Sequence, residues 1–504
     1  MSWLNETIAT VYGIDPQAPA IESDGVWWTY RELSEIQHGI DAILARNGLG
    51  AGTRVGGLLR SRPECAALIA LVVSTDRCVV TLNPTIPDDR LAEDIVKLKL
   101  PVVVGGERDW ERPAVRNAAE QAGSLGILLP QHAGEPVRMV EGLETVGIAD
   151  PETAPGISVQ MLTSGTTGTP KRIPLAKRLL EQSLIDAISF ERDRQDGAIR
   201  LRDGVGFVTV PFAHIGGAWS FLNSTCAGRR VFMMEKFALE PYVDGILRHR
   251  PPALSSPPTV LRMILDAKVP REYLQSVRAW RTSTAPLDPD LADRFHETYG
   301  IPVLQNYGAT EFAGSVAGWT LADFKRYGKE KRGAVGRIVE GFEARTVHPD
   351  TREPVPSGEE GLLAVRASHL GQEDRWVETN DRAVLDEDGF LWIKGRYDNA
   401  IIRGGFKILA DDVAKAIDSH PAIREAAVGG IPDPRLGEVP VAAYIVSAGH
   451  DAPSDEELKR FLRDKLPPYQ VPVAFRAVDE LPRTPSMKVS MLGLRELFAD
   501  RTAA

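Results

Sequence analysis

Hydrophobic and polar residues follow two alternating patterns along residues 1–150. Short apolar runs at 54–59, 79–82 and 102–104 predict buried strands, and amphipathic stretches lie between them. At 27–33 the pattern changes from strand to helix, with Thr29 and Glu32 in the spacing of a capping box. This order is typical of an α/β fold with a mainly parallel sheet.

A loop rich in glycine and hydroxyl side chains lies at 161–171 and has the sequence MLTSGTTGTPK. It follows an alternating strand and precedes apolar residues at helical spacing, so the pattern predicts a connection from a strand to a helix. The apolar positions are Ile157, Val159 and Met161 in the strand and Leu175, Leu179, Leu180, Leu184 and Ile188 in the helix.

This loop has the features of an anion site. Gly165 and Gly168 allow backbone amides to approach an anion, and Lys171 adds a positive charge, so a polyphosphate is the expected ligand. The common P-loop is excluded because only two residues separate the glycines and Pro170 precedes the lysine. A generic cluster of Ser, Thr and Gly is more often a flexible surface loop, which is the alternative here.

Further strands are predicted at 205–211, 230–234, 277–282 and 301–304. The strand before the glycine-rich loop and the strands ending near 211, 282 and 304 all lead into loops of small or polar residues. In open α/β sheets the ligand binds beyond the carboxyl ends of the strands, so we expect these four loops to share one crevice.

The pattern changes near residue 333 to short β segments with turns, which predict a small β-rich subdomain over 333–395. An α+β unit follows, with a helix near 410–419, strands at 426–428 and 441–446, and a helix opened by Ser454 and Glu457. We therefore predict a large α/β N-terminal domain of several subdomains at 1–397 and a small mobile α+β domain at 398–504.

Composition limits the class of protein. A chain of 504 residues predicts two or three domains, and a net charge of −10 gives no global basic field for nucleic acid or anionic lipid. Cys65, Cys78 and Cys226 lack metal spacing and cannot all pair, which fits a reducing compartment. There is no signal-peptide pattern, and the longest apolar run, 66–73, is far shorter than the ~20 residues of a membrane helix. We expect a soluble cytoplasmic protein without a transmembrane segment.

A second candidate motif is YGATE at 307–311. The ring of Tyr307 can cover a nucleobase while Gly308 leaves room for the backbone to approach it. Thr310 can donate to a phosphate, and Glu311 is an oxygen ligand suited to Mg²⁺. A tyrosine at a strand end is more often a core residue, so the pentapeptide alone is weak evidence.

The wording TSGTTGTPK resembles the phosphate loop of the adenylate-forming superfamily, which includes acyl- and aryl-CoA ligases, firefly luciferase and peptide-synthetase adenylation domains. YGATE is similar to the family's YGxTE motif, STAPL at 283–287 to its GGAPL loop, and ETND at 378–381 to its TGD motif. GRYD at 395–398, RGGFK at 403–407 and LPRTPSMK at 481–488 resemble its domain junction, its pantetheine-tunnel segment and its catalytic-lysine loop. On these segments the chain is identified as a member of the superfamily, of the acyl- or aryl-CoA ligase type.

Several positions depart from the family's pattern. Ser283 and Thr284 replace two glycines, and Asn380 replaces another. Asn399 replaces a frequent aspartate beside the hinge. In the lysine loop Met487 replaces glycine, and Met491 occupies a position where arginine is common.

The resemblance implies roles for individual residues. Lys488, Thr166, Glu311 and His214 are the implied catalytic residues, Glu311 being the Mg²⁺ ligand, and Asp398 is the implied hinge. CoA is expected at Gly404, Gly405 and Lys407. The acyl pocket is expected at Phe212, His214, Gly217, Trp219, Thr282, Gly308 and Phe312. The nucleotide is expected at Thr163, Ser164, Gly165, Thr166, Thr167, Gly168, Lys171, Thr284, Ala285, Pro286, Asn306, Tyr307, Gly308, Thr310, Asp381, Arg396 and Lys488.

The implied reaction activates a carboxylic acid with ATP and Mg²⁺ as an acyl-AMP and then forms a CoA thioester. Two alternatives stay open: transfer to a carrier-protein pantetheine, and a nucleotide-binding protein that has lost catalysis. Trp219 and Phe312 are large and favour a short, medium or aromatic acid, and His214 either contacts the substrate or packs in the core. The expected partners are the small molecules alone, without nucleic acid, and the expected state is a monomer or homodimer.

Overall fold

The computed structural model describes residues 2–163, 171–189, 198–283, 285–309, 312, 314–367, 376–397, 400–404, 406–484 and 487–499, with the side chains of Thr163, Lys171 and Lys407 left out. The helices are α1 Trp3–Ile14, α2 Tyr30–Arg46, α3 Pro63–Ser74, α4 Asp88–Leu98, α5 Glu107–Trp110, α6 Pro113–Ala122, α7 Lys177–Ser189, α8 Ile215–Cys226, α9 Leu239–His249, α10 Pro258–Asp266, α11 Pro289–Tyr299, α12 Leu321–Tyr327, α13 Ala410–Asp418, α14 Asp455–Arg463 and α15 Met491–Glu496.

The strands form four sheets. They are β1 Pro19–Ser23, β2 Val26–Thr29, β3 Arg54–Leu58, β4 Cys78–Leu82, β5 Val102–Gly105, β6 Leu125–Leu128, β7 Arg138–Met139, β8 Ile157–Thr163, β9 Lys171–Ala176, β10 Arg202–Val208, β11 Arg229–Met233, β12 Ala253–Ser256, β13 Ala279–Thr282, β14 Val303–Ala309, β15 Gly314–Gly318, β16 Gly336–Ile338, β17 Phe342–Val347, β18 Glu360–Ala367, β19 Val377–Leu385, β20 Phe390–Arg396, β21 Ala400–Arg403, β22 Phe406–Leu409, β23 Ile423–Asp433, β24 Gly437–Val446 and β25 Ala474–Ala477.

A seven-stranded sheet of order β7-β6-β5-β3-β4-β8-β9 forms the first part of the chain, and its central pairs are parallel. The predicted strands at 54–59, 79–82 and 102–104 are confirmed. The capping box is also confirmed: Thr29 accepts a hydrogen bond from the Glu32 amide, and the Glu32 carboxylate accepts one from the Thr29 amide. Local spacing was sufficient here because both partners lie within one helical turn.

The predicted strand-to-helix connection after β8 is wrong. Residues 171–176 form β9, which pairs antiparallel with β8, and α7 begins only at Lys177. Leu175 therefore belongs to a strand, where it is paired with Val159. Its spacing to the later leucines imitated a helix because the strand and the helix bury their apolar residues in the same core. The glycine-rich loop thus lies between the two strands of a hairpin.

The strands preceding the other candidate loops belong to different sheets. β10 lies in a four-stranded sheet of order β10-β11-β1-β2, whereas β13 and β14 lie in a nine-stranded sheet. β8, β10 and the β13–β14 pair are thus distributed over three sheets, and the shared crevice of the four loops stays a prediction.

The nine-stranded sheet has the order β12-β13-β14-β15-β16-β20-β19-β18-β17. Its first three strands are parallel, and from β14 onward the pairs are antiparallel. The predicted β-rich character of 333–395 is confirmed. Its strands nevertheless continue the sheet that begins at β12, so the β-rich region shares backbone hydrogen bonds with the preceding α/β region.

The last part of the chain forms a five-stranded sheet with β22-β21-β24-β23 in order and β25 beside β24. Helices cover both faces: Ile417, Leu458 and Leu462 pack on one side, and Leu494 and Phe498 pack on the other. The predicted helices at 410–419 and after Ser454 are confirmed. We call this part the C-terminal unit.

The C-terminal unit contacts the preceding region at α10 and at β20. Arg424 forms an ion pair with Asp266 at 3.3 Å, and its carbonyl accepts a hydrogen bond from Arg262 at 2.8 Å. The backbone amide of Arg396 donates to the Asp411 carboxylate at 3.2 Å. Within the described ranges, none of the helices has the length and apolar character needed to cross a bilayer.

Candidate active site

Part of the predicted site lies outside the described residues. This holds for Ser164, Gly165, Thr166, Thr167, Gly168, Thr284, Thr310, Glu311, Asp398 and Gly405, and for the side chains of Thr163, Lys171 and Lys407. Their roles stay predictions. The other predicted residues can be placed, and several of them meet.

Tyr307 and Asp381 come together from two strands of the nine-stranded sheet. Tyr307 lies near the end of β14, Asp381 lies in β19, and the phenol donates a hydrogen bond to Oδ2 of the carboxylate. Asp381 is only 8% exposed, so this bond satisfies a charge that is largely withdrawn from water. Burial, and then the nearby carboxylate, raise the pKa of Tyr307 well above its usual range, which keeps the phenol protonated as a donor.

Arg396 approaches the same carboxylate from the neighbouring strand. Asp381 and Arg396 are directly opposite in the antiparallel pairing of β19 and β20, and Nη1 of Arg396 lies 3.5 Å from Oδ1 of Asp381. The Asp381 amide donates to the hydroxyl of Thr379 at 3.1 Å. A phenol, a guanidinium and a carboxylate are thus fixed at one end of the sheet, with donors and acceptors that suit a ribose and its phosphate.

Strand pairing around Tyr307 accounts for the glycine at 308 and for the orientation of the Asn306 side chain. The pairing of β14 with β15 shifts in register after Tyr307, and a Cβ on Gly308 would lie 2.2 Å from the carbonyl oxygen of Gly314. Glycine is therefore required by strand packing, apart from any ligand. Asn306 donates through Nδ2 to the hydroxyl of Ser315 at 2.6 Å, which orients its amide. After β13, Ala285 is half-buried and Pro286 is exposed.

Lys488 enters this region from the C-terminal unit. The positive charge of Lys488 helps lower the pKa of His214, while the charges of Arg396 and Asp381 act on the pKa of Lys488. The lysine thus interacts electrostatically with groups from three separate segments: the loop before α8, β19 and β20. It is exposed to solvent, yet partial desolvation in the crevice, and then Arg396, lower its pKa, while Asp381 opposes this shift.

His214 is the residue preceding α8. Burial, and then Lys488, lower its pKa to about 4, so the imidazole is neutral at neutral pH. Its Nε2 is buried and has no hydrogen-bond partner among the described residues. Buried ring nitrogens are normally hydrogen-bonded, so this nitrogen is open to a ligand, and a contact of His214 with the substrate stays a prediction.

Two rings expected in the acyl pocket are closed off. Phe212 is 0% exposed and packs against Phe221, and Phe312 is 1% exposed in the core of the β-rich region. Neither is open to an acyl group in this arrangement. Apolar character alone could not separate pocket residues from core residues, because both environments favour aromatic rings.

Of the remaining expected pocket residues, Gly217 and Trp219 lie in α8 and Thr282 ends β13. A Cβ on Gly217 would lie 2.3 Å from the carbonyl oxygen of Val210, so glycine lets α8 pack on the preceding loop. Trp219 donates to the hydroxyl of Ser183 at 2.7 Å. Thr282 is 0% exposed, and its hydroxyl has no partner within the described part of the chain.

Gly404 lies away from these groups, in the turn between β21 and β22 of the C-terminal unit. Its φ of 57° is the left-handed region that favours glycine, and its amide donates to the carbonyl of Leu436 at 2.7 Å. Arg403 beside it donates to the carbonyl of Tyr469 at 2.7 Å.

One supporting contact had no sequence prediction. Arg483 donates to the carbonyl of Met487 at 3.1 Å and forms an ion pair with Glu425 at 2.7 Å. The Lys488 amide also donates to the hydroxyl of Thr484 at 3.2 Å, so the turn that carries the lysine is held from within. Arg483 stands in the LPRTPSMK segment, but Glu425 is 58 residues away and had no local signal.

Comparison with known proteins identifies the family. Residues 12–372 match the family described as AMP-binding enzyme, and residues 412–488 match the AMP-binding enzyme C-terminal domain. The chain is 30% identical to a long-chain-fatty-acid–CoA ligase of Bacillus subtilis (strain 168), over 94% of this chain and 90% of that protein. It is 29% identical to 4-coumarate–CoA ligase 3 of Oryza sativa subsp. japonica, over 94% and 88%.

A solved structure has the same fold. ATP-bound MatB from Rhodopseudomonas palustris superimposes with a TM-score of 0.80 at 23% identity, covering 99% of both chains. The family segments, both domain matches and the shared fold lead to one conclusion. The chain belongs to the AMP-binding enzymes of the adenylate-forming superfamily and is of their acyl- and aryl-CoA ligase type.

Proposed function

We propose that this enzyme joins a carboxylic acid to ATP as an acyl-AMP, releases pyrophosphate, and then transfers the acyl group to the thiol of CoA. The observation that carries the proposal is the position of Lys488. Although it belongs to the C-terminal unit, its charge acts on the pKa of His214, and the charges of Arg396 and Asp381 act on its own pKa.

The first step brings two anions together. A carboxylate oxygen attacks the α-phosphorus of ATP, and the bond from that phosphorus to the pyrophosphate oxygen breaks. The main barrier is charge repulsion, so a fixed cation beside the joining oxygens is the effective remedy. We assign this role to Lys488, with the loop at 163–171 holding the β- and γ-phosphates. Glu311 is the proposed Mg²⁺ ligand; the metal supplies further charge neutralisation when bound.

The nucleoside is proposed to lie against Tyr307, Asp381 and Arg396. The Asp381 carboxylate can accept hydrogen bonds from both ribose hydroxyls, and the guanidinium of Arg396 can donate to ribose or phosphate. The Tyr307 phenol competes for one carboxylate oxygen and thereby fixes the orientation of the acceptor.

The second step is the attack of a thiolate on the acyl carbonyl, with AMP as the leaving group. We propose that Gly404, Gly405 and Lys407 bind CoA in this step. We also propose that the C-terminal domain rotates about a hinge at Asp398 between the two half-reactions. A CoA acceptor is favoured over a carrier protein because relatives aligned over 94% of the chain are named as CoA ligases.

The acyl body is proposed to be uncharged. His214 has a pKa lowered to about 4 and is neutral at neutral pH, so it offers one hydrogen-bond donor or acceptor and no positive charge. Trp219 and the buried hydroxyl of Thr282 add an aromatic edge and a polar atom nearby. A mainly apolar or aromatic monocarboxylic acid fits these groups better than a dicarboxylic acid does.

A single experiment tests the proposal. Pyrophosphate release is measured with fatty acids of graded length, aromatic acids and dicarboxylic acids, with and without CoA, and products are identified by mass spectrometry. We expect acid-dependent release and a CoA thioester. Pyrophosphate release without thioester formation would indicate an acyl acceptor other than CoA. ATP binding without any pyrophosphate release would refute the proposed activity.

A further inference from the structure

We propose that Met487 is a positioning residue whose side chain docks the C-terminal unit onto the preceding region and thereby places Lys488 for adenylation. This inference rests on the proposed function. It concerns a methionine at a position where the resembled family has glycine, so the contact is a feature of this chain.

Met487 shares a narrow cavity with residues that belong to the other side of the crevice. Its partners are contributed by the loop after β10, by the segment before α9 and by the start of α10, namely Thr209, Val210, Pro211, Phe237, Pro257 and Val260. Most of this lining is apolar, and methionine is the side chain that adapts best to an irregular apolar gap. The cavity therefore lies between the C-terminal unit and the same loop that precedes His214.

The neighbouring residue gives an independent observation of the same docking. The charge of Lys488 lowers the pKa of His214. Met487 thus borders one cavity with Val210 and Pro211, and its neighbour Lys488 acts electrostatically on His214 of the same loop. A displacement of the Met487 side chain from the cavity is expected to move the ammonium of Lys488 with it.

The backbone at Met487 indicates that this contact has a conformational cost. Its φ is 65°, in the left-handed region where a non-glycine residue is disfavoured. The turn is stabilised by a hydrogen bond from the Met487 amide to the Thr484 carbonyl at 2.8 Å and by Arg483 on the Met487 carbonyl at 3.1 Å. A strained backbone that is held by hydrogen bonds within its own unit, at a residue that borders a cavity of the other region, is well suited to fix orientation.

The two half-reactions are expected to respond differently. Adenylation is measured as acid-dependent pyrophosphate release without CoA, and thioester formation is measured from synthetic acyl-adenylate and CoA. For Met487→Ala we expect about a tenfold loss in the adenylation rate, as is typical of a misplaced catalytic group, with thioester formation unchanged. Met487→Leu, which retains an apolar side chain of similar volume, should restore adenylation to within about threefold of the unmodified enzyme.

A double-mutant cycle tests whether Met487 docks on Phe237. Phe237→Ala alone should also slow adenylation, and Phe237→Ala combined with Met487→Ala should be no slower than Met487→Ala alone, because both remove one contact. Met491→Ala is the matched control: it removes the same type of side chain but packs within the C-terminal unit. It should lower the thermal unfolding temperature without changing the ratio of the two half-reaction rates.

The outcomes separate this inference from the proposed function. If the unmodified enzyme releases no pyrophosphate with any acid, the proposed function fails and this inference fails with it. If the unmodified enzyme is active and Met487→Ala loses nothing, or loses both half-reactions equally, only the role of Met487 is refuted. Additive losses in the double-mutant cycle would also contradict docking on Phe237.

Discussion

Tyr307 and Asp381 lie 74 residues apart in the chain, yet the phenol of one donates a hydrogen bond to the carboxylate of the other. The bond joins β14, which is parallel to β13, to β19, which belongs to the antiparallel part of the same nine-stranded sheet. The proposed nucleoside site therefore exists only because these two parts form one continuous sheet.

Removing this bond should weaken ATP binding more than it affects the fold. For Tyr307→Phe we expect KM for ATP to rise about tenfold, since a hydrogen bond to a charged group is worth about 1.5–3 kcal/mol. Steady-state kinetics with varied ATP provide the measurement. Tyr299→Phe is the control, because that phenol donates to backbone carbonyls of Ile264 and Val269 outside the site. An equal rise in KM for both variants would argue against the assignment.

His214 should make the stability of the protein depend on pH. Its folded pKa, about 4, is below the ordinary value of 6.5, so the unfolded chain binds more protons between these two values. Its stabilising contribution is thus complete above pH 6.5 and decreases as the pH falls towards 4. Between pH 7 and 5 the free energy of unfolding should fall by about 1–2 kcal/mol more in the unmodified protein than in His214→Gln.

Urea unfolding at the two pH values measures this difference. His132→Gln, at an exposed position, is the matched control and should leave the pH dependence as it is in the unmodified protein. If His214→Gln shows the same loss of stability on acidification as the unmodified protein, the buried neutral imidazole is not the cause.

The left-handed backbone at Met487 gives a stability prediction that is separate from its docking role. Met487→Ala and Met487→Gly remove the same contacts with the cavity, but only glycine adopts the φ of 65° without strain. We expect Met487→Gly to be more stable than Met487→Ala by about 1 kcal/mol. Chemical denaturation of both variants provides the comparison, and an alanine variant as stable as the glycine variant would show that the turn relaxes.

The bonds of Arg483 to the turn that carries Lys488 should contribute more to the adenylation rate than the exposed Arg424–Asp266 ion pair does. Arg483 is 12% exposed and binds both the Met487 carbonyl and Glu425, whereas Arg424 is 39% exposed beside Asp266. For Arg483→Lys we expect about a tenfold loss of adenylation, because lysine lacks the planar fork that makes two directed bonds at once. Arg424→Lys should change the rate by less than about twofold, as is typical of an exposed ion pair. Similar losses for the two variants, measured as pyrophosphate release, would contradict this ranking.

The sequence predicted those helices, strands and caps that depend on residues close together in the chain. The Thr29–Glu32 capping box, the strands around 54, 79 and 102 and the helix after Ser454 depend on neighbours within a turn or a strand, and they were confirmed. Tyr307, Asp381, Arg396 and Lys488 were identified through the family's motifs. Composition or periodicity alone could not have shown that these four meet.

The errors arose where distant packing determines the structure. β9 was mistaken for the start of a helix because its strand partner, β8, is visible only in three dimensions. Phe212 and Phe312 are buried in cores, an environment that suits apolar rings as well as a pocket does, and their place in the acyl pocket stays a prediction. The Arg483–Glu425 pair joins residues 58 apart and leaves no pattern in either segment.

The most direct test of the central claim is the rate of each half-reaction in Lys488→Ala. We expect adenylation to fall by about 10²–10³, the usual cost of losing a preorganised charge, while CoA thioester formation from supplied acyl-adenylate is retained. Lys459→Ala, in an exposed pair with Glu456 on α14, is the control and should leave both rates unchanged. Adenylation that continues at the unmodified rate in Lys488→Ala would contradict the account.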